Sequence, residues 1–379
     1  MRVTLNNADL ARYAGQFVWL ALNYDKAENA AFMTKYGANA TPTFFVIDPK
    51  DEQIAAAQTG AMSLVELEQF LDRGTSRVFA KTQTTADAAL LRGDALLTLK
   101  PNEAASAYSE ALRLAPANWP HRELAQASLV TALEDGHQWQ QCAEAAAAAA
   151  TSMKRNAMFA RTVVAGMWCL VDAYPATWLE AQAHRLEPLA KEALSLPTTI
   201  RDHRDELYRT LMRLSLARKD ERNAANLGSL WMDELNAIKP ANDEERSAVD
   251  IARVECIQVF GDPRRVLPAL IDSERTMPNN WNASVRVAQM EEAAHDYDAA
   301  IAACDRGLSR SPGPLGRSWL LQIKAHAFMQ KGKTALAHGL FIDALEYAQA
   351  IPNKQARDSN ITSIKRALQE SSKPETRKN

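Results

Sequence analysis

The chain has 379 residues, with a hydrophobic share of 47%, a charged share of 24% and a formal net charge of -2. That length exceeds one ordinary core and predicts two domains, or one domain followed by a repeat array. The composition excludes a disordered chain, and the charge gives no basic excess to attract a polyanion, so nucleic acid is not an expected partner.

Only 14 Gly and 16 Pro occur, and Ala and Leu are abundant, which favours helix over most of the length. No run approaches the roughly 18 apolar residues of a membrane span. The nearest, Ala143 to Ala150, is a weakly hydrophobic Ala tract. The N-terminus, M-R-V-T-L-N-N-A-D-L, lacks a basic region followed by an apolar core, so the chain as written is expected in the cytoplasm, and a signal peptide missing upstream would move it elsewhere.

Phe17 to Leu22, F-V-W-L-A-L, predicts a strand buried on both faces, with Asp25 near its end. Glu28 to Tyr36 predicts a helix stopped by Gly37. Thr43 to Ile47 is the next strand, Asp48 to Asp51 a turn, and Gln53 to Ala57 a third strand. After Gly60, Ser63 to Leu71 predicts a helix with Ser63 as N-cap and Glu66 closing a capping box, burying Leu64, Leu67, Phe70 and Leu71. Arg73, Gly74, Thr75 and Ser76 are expected to close this first domain, 1 to 74, with a linker over 75 to 83.

From Thr85 onward the pattern is helix after helix, up to a polar tail at 371 to 379. Ala104, Tyr108, Ala111 and Pro116 are spaced 4, 3 and 5 apart, and Ala300, Cys304, Gly307 and Pro312 repeat that spacing. Ala337, Phe341 and Ala344 repeat the 4 and 3, with Pro352 a few residues late. A small residue precedes each set: Gly93, Ala288 or Ala325. Small residues there let antiparallel helices approach, the aromatic fills the next interface, and the proline ends the second helix. These three copies resemble tetratricopeptide repeats. Between them, helix pairs are expected at Leu124 to Leu133 with Trp139 to Ala150, Phe159 to Ala173 with Trp178 to Leu194, and Leu207 to Leu216 with Asn223 to Leu235. Together they predict an α-solenoid over 84 to 370.

Residues 17 to 72, in the order strand, helix, Thr-Pro-Thr strand, turn, Gly and helix, resemble the C-terminal two thirds of a thioredoxin fold. The predicted fold class is therefore a partial, thioredoxin-like α/β N-terminal domain followed by an all-α solenoid. The resemblance implies a cis Pro42 and a substrate-binding role for Thr41 and Pro42, with the backbone of Thr41 pairing an extended substrate strand. It also implies thiol-disulfide exchange, but no C-x-x-C occurs in the chain. Met1 is accordingly expected to be an internal residue of a longer protein, with the cysteine motif just upstream; the rival expectation is a genuine start and a non-redox docking piece. Either way, this chain is expected not to be catalytic.

Cys142, Cys169, Cys256 and Cys304 lie far apart in helical apolar patterns and read as small buried hydrophobes, so neither a disulfide nor zinc is expected. Asp25 reads as a solvated strand end. His203, in R-D-H-R-D-E, reads as part of an exposed charged face. The tryptophans Trp119, Trp139, Trp168, Trp178, Trp231, Trp281 and Trp319 read as packing between helices, with one or two lining a groove. Some tetratricopeptide domains clamp carboxylate tails with Lys and Asn, whereas the matching positions here carry Leu90, Asp94, Arg286, Gln289 and His326. No catalytic triad, phosphate loop or cofactor motif is present. The expected partner is another protein or peptide in the helical groove, bound either by the full thiol-disulfide exchange protein or by a non-catalytic scaffold.

Overall fold

The computed structural model describes residues 5, 7–23, 26–38, 40–79 and 84–371. They group into two units, one comprising the N-terminal residues to Ala21 with Phe32–Leu227, the other Leu22–Ala31 with Gly228–Asn379. Asp25 lies outside the described residues.

A short helix α1 (Ala30–Tyr36), in the first unit from Phe32 on, leads to a two-stranded antiparallel sheet, β1 (Thr43–Ile47) and β2 (Ile54–Thr59). Phe45 faces Ala57 across the pair, and a bulge falls between Val46 and Ile47. Alternation sends the β1 side chains to opposite faces. Val46 joins Leu67, Phe70 and Leu71 of helix α2 (Leu64–Phe79), together with Leu10 and Tyr13. On the other face, Phe45 and Ile47 pack with Phe32, Tyr36 and Ala95. Gly37 stops α1 at a φ of +66°, and a Cβ there would stand 2.6 Å from the Thr98 carbonyl oxygen. Only glycine allows that approach.

Two expectations fail in this segment. Phe17 to Leu22 forms no strand; Val18 is 89% and Leu20 73% exposed. An apolar run becomes a strand only where a ladder receives it, and here both β1 and β2 pair only with each other among the described residues. Helix α2 also does not stop at Leu71. It continues through Arg73, Gly74, Thr75 and Ser76 to Phe79, over the start of the expected linker. Gly74 is used for packing, since a Cβ on it would meet Val46 at 2.6 Å.

Helical hairpins follow. In the first unit they are α3 (Thr85–Leu96) with α4 (Pro101–Leu114), α5 (Arg122–Asp135) with α6 (Trp139–Ser152), and α7 (Ala157–Asp172) with α8 (Leu179–Ser195); α9 (Arg201–Ala217) follows, and then α10 (Glu221–Ala237). The division between the units falls inside α10. The second unit continues with α11 (Asp243–Val259) and α12 (Leu267–Thr276), α13 (Trp281–Ala293) and α14 (Tyr297–Ser309), α15 (Pro314–Gln330) and α16 (Thr334–Gln349), and ends in α17 (Lys354–Ser371). Among the first helices of the pairs, called A helices here, α5 packs on α7 and α7 on α9 in the first unit, and α11 on α13, α13 on α15 and α15 on α17 in the second. This is the tetratricopeptide-like arrangement. The expected small and aromatic positions are its contacts: Ala104, Tyr108, Ala111, Ala288, Ala300, Cys304, Ala325, Ala337, Phe341 and Ala344 are all fully buried. Gly93 lies against Tyr108, whose ring would come within 2.5 Å of an added Cβ. The pair α11 and α12 has none of those spacings and is not picked out by the sequence pattern.

Cys142 on α6 and Cys169 on α7 form a disulfide, with Cα atoms 6.2 Å apart, which overturns the expectation that no cysteines pair. Gly166 and the Ala tract explain their approach, because a Cβ on Gly166 would stand 2.5 Å from that of Ala146. Cys256 and Cys304 are buried and outside any disulfide, as the sequence suggests. No described helix is long and apolar enough to cross a membrane.

Two measurements check this packing. Gly74→Ala is expected to destabilise the protein by about 1–3 kcal/mol through overpacking against Val46, read by denaturant unfolding; an unchanged midpoint counts against the contact. Peptide mapping of the natively folded, alkylated protein is expected to recover Cys142 and Cys169 linked, and Cys256 and Cys304 as thiols.

Candidate functional site

Thr41 is exposed and Pro42 half-buried at the entrance to β1, and the bond between them is cis. The Pro42 carbonyl accepts from the Gly60 amide at 2.9 Å, and the Thr43 hydroxyl donates to the Ala40 carbonyl at 2.6 Å. These contacts fix the turn and leave the outer edge of β1 without a strand partner among the described residues.

A denser constellation lies beneath α2. Its apolar face is spent on the sheet, so the opposite face meets the helical array. Glu66, in the first turn, does two things. Its Oε2 accepts from the Ser63 amide and hydroxyl, both at 2.9 Å, while Ser63 Oγ accepts from the Glu66 amide at 3.3 Å, which is the expected capping box. Its Oε1 points to Arg161 Nη1 on α7, 3.7 Å away. Seven residues on, Arg73 occupies the same face. Its Nε lies 3.1 Å from Asp94 Oδ2 on α3, and Tyr108 of α4 donates its hydroxyl to Asp94 Oδ1 at 2.8 Å. One turn further, Arg77 donates to the Leu91 carbonyl at 3.1 Å. His203 of α9 completes the cluster, with the Ala61 backbone as hydrogen-bond partner.

Burial sets the electrostatics of these groups. Glu66, Arg73, Asp94, Arg161 and His203 are all under a tenth exposed, and Asp94 is 1% exposed. Burial raises the Asp94 pKa, opposed by the charge of Arg73 and the Tyr108 hydrogen bond. Burial lowers that of Arg161, opposed by Glu66. Burial also lowers that of His203; Glu66 and Asp202 oppose this and Arg161 adds to it. The polar groups are incompletely matched. Arg161 Nε and Nη2, Glu66 Oε1 and His203 Nδ1 are buried without a hydrogen-bond partner. Removing one member of such a pair is costly, although an intact pair adds little net stability.

His203 therefore corrects an expectation: it is 5% exposed, not part of a solvated face. The alternating charges around it give no signal of this, because what covers it is more than a hundred residues away in sequence. Asp94, read as a groove position, is committed to Arg73 and Tyr108, and Leu90 is buried.

In the second unit the A helices are tied by polar bridges. Arg286 of α13 donates to Ser247 of α11 at 3.2 Å, and Gln322 of α15 donates to Asn360 of α17 at 3.1 Å. Trp281 and Trp319 meet edge to face at 6.4 Å, and Trp319 stays 37% exposed. Gln289 and His326 are half-buried, and burial pushes Glu292 up to about 7. Trp119 and Trp231 are buried packing residues. Among the described residues, no cluster of His, Cys, Asp and Glu is placed to hold a metal ion.

No protein-family description and no curated protein matches the chain. Among solved structures, it is similar to a tetratricopeptide repeat protein from Parabacteroides merdae at 11% identity and a TM-score of 0.45, covering 74% of this chain and 98% of that one. It is also similar to the TPR2AB domain of yeast Sti1 in complex with pHSP90, at 13% identity and a TM-score of 0.30, covering 76% and 98%.

Two predictions follow from the cluster's charges. Asp94→Ala strands Arg73 and is expected to cost about 3–5 kcal/mol of unfolding free energy, measured in urea. The folded His203 ring binds a proton less readily than the unfolded one, so its contribution to stability is complete above about pH 6.5 and falls as the pH drops below that value. His203→Gln is expected to flatten this acid slope in melting experiments; an unchanged slope contradicts the buried neutral ring.

Proposed function

We propose that the chain is a protein-interaction scaffold and does not itself catalyse thiol-disulfide exchange. One contrast carries this reading. Its four cysteine sulfurs are withdrawn from solvent, two as a disulfide and two as buried thiols, and burial pushes Cys304 up to about 12. Near neutral pH such a thiol supplies no thiolate nucleophile. The A-helix face of the second unit, by contrast, keeps Trp319 exposed and Gln289 partly exposed, an aromatic anchor and a polar group of the kind that binds a polypeptide.

A second reading concerns the N-terminal segment. The order of α1, Thr-Pro-Thr, β1, β2, Gly60 and α2 supports a thioredoxin-like origin. In a form of the protein carrying a C-x-x-C, Thr41 and Pro42 hold the substrate backbone at the outer edge of β1 while the thiolate attacks one sulfur of the substrate disulfide, forming a mixed disulfide and releasing the other sulfur as a thiolate. The division into a segment to 74, a connection over 75 to 83 and an array over 84 to 370 belongs to the same proposal. The Cys142–Cys169 disulfide favours an oxidising compartment over the cytoplasm.

Photocrosslinking separates a groove scaffold from a featureless spacer. A benzophenone side chain at Gln289 or Trp319 of the full chain is expected to capture a polypeptide partner several-fold more efficiently than one at Ile342 on a second helix. Equal capture from all three positions contradicts the proposal. In an insulin-reduction assay the 379-residue chain is expected to match a variant lacking all four cysteines.

A further inference from the structure

The charged face of α2 resembles a ligand more than a core element. It reaches the array through Glu66, Arg73 and Arg77, and these meet Arg161, the Asp94–Tyr108 pair and a backbone carbonyl. The receiving residues come from three A helices, α3, α7 and α9, and from α4. They are complementary in charge to α2 position by position: a guanidinium for its carboxylate, a carboxylate for its guanidinium. At the Glu66 end the geometry is nevertheless loose. Glu66 and Arg161 stand 3.7 Å apart, and two nitrogens of Arg161 and one of His203 have no hydrogen-bond partner. Buried charges that fit the helix in kind but not fully in geometry give specificity with little net binding energy. Such a contact is suited to exchange.

We propose that the A-helix face of α3, α7 and α9 is a recognition surface for a helix carrying a carboxylate in its first turn and a guanidinium seven residues later, and that α2 occupies it in cis. The occupant of the resting protein is the chain's own Leu64–Phe79; the partner that replaces it is a helix of the same charge pattern. This rests on the scaffold reading and adds its regulation: the first unit binds only after α2 is displaced, whereas the face around Trp319 in the second unit needs no release.

The test uses the full chain and a fluorescent peptide spanning Ser63 to Phe79. In the variant Glu66→Gln/Arg73→Gln the resident helix loses its two charges while the receiving residues stay intact. The peptide is expected to bind this variant at least tenfold more tightly than the wild type in fluorescence anisotropy. Adding Arg161→Gln is expected to reverse the gain, and a peptide carrying E66Q and R73Q is expected not to bind. Hydrogen exchange serves as the folding control. In the double variant, exchange is expected to rise over Leu64–Phe79 and to stay unchanged over Ala157–Asp172. Three results overturn the proposal. Exchange that rises over both segments makes α2 part of the folded core, and exchange that rises over neither means these charges do not hold it. Loosened α2 with no gain in peptide binding means that the face is no receptor. The Gln289 and Trp319 crosslinks are independent of all three, so failure here is distinguishable from failure of the scaffold reading.

Discussion

The first unit depends on how α2 divides its surface. Leu67, Phe70 and Leu71 are committed to the sheet, and Gly74 has no side chain so that Val46 can sit against the helix. That orientation leaves Glu66 and Arg73 no route to solvent, and both end under a tenth exposed against the helical array. A buried charge without a counter-charge costs several kcal/mol, so Glu66 and Arg73 each need an opposite charge, which Arg161 and Asp94 supply. Gly93 and Tyr108 follow from the same requirement. Tyr108 reaches Asp94 across α3 only because Gly93 offers no Cβ in its path.

The helical hairpins were largely legible in the sequence. A small residue at each close approach and an aromatic or Cys four positions on make a pattern that survives because helix packing fixes it locally. For example, Ala300 and Cys304 are both fully buried where the spacing places them. The capping box at Ser63 and Glu66 and the stop at Gly37 were legible for the same reason: each is satisfied within a few residues.

What the sequence hid was non-local. Phe17 to Leu22 has the composition of a strand, but composition does not supply the ladder that a strand needs, and Val18 and Leu20 stand in solvent. Cys142 and Cys169 are 27 residues apart, and only the antiparallel return of α7 along α6 brings them together. His203 and Arg161 sit in segments whose local pattern gives no warning of α2. The double role of Glu66, capping its own helix and facing Arg161, is readable only by half from the sequence. The scaffold and the recognition surface are thus tied to different kinds of information, the first to local periodicity and the second to long-range charge matching.

Whether specific charges join α2 to the array is decided by a double-mutant cycle on Glu66 and Arg161. Unfolding free energies would be measured for the wild type, Glu66→Gln, Arg161→Gln and the double variant. The two substitutions are expected not to be additive, with a coupling on the order of 1 kcal/mol, because each single change leaves the other charge buried and alone. Additivity within about 0.3 kcal/mol would mean that the two residues do not sense each other, and would contradict the docking of α2 described above.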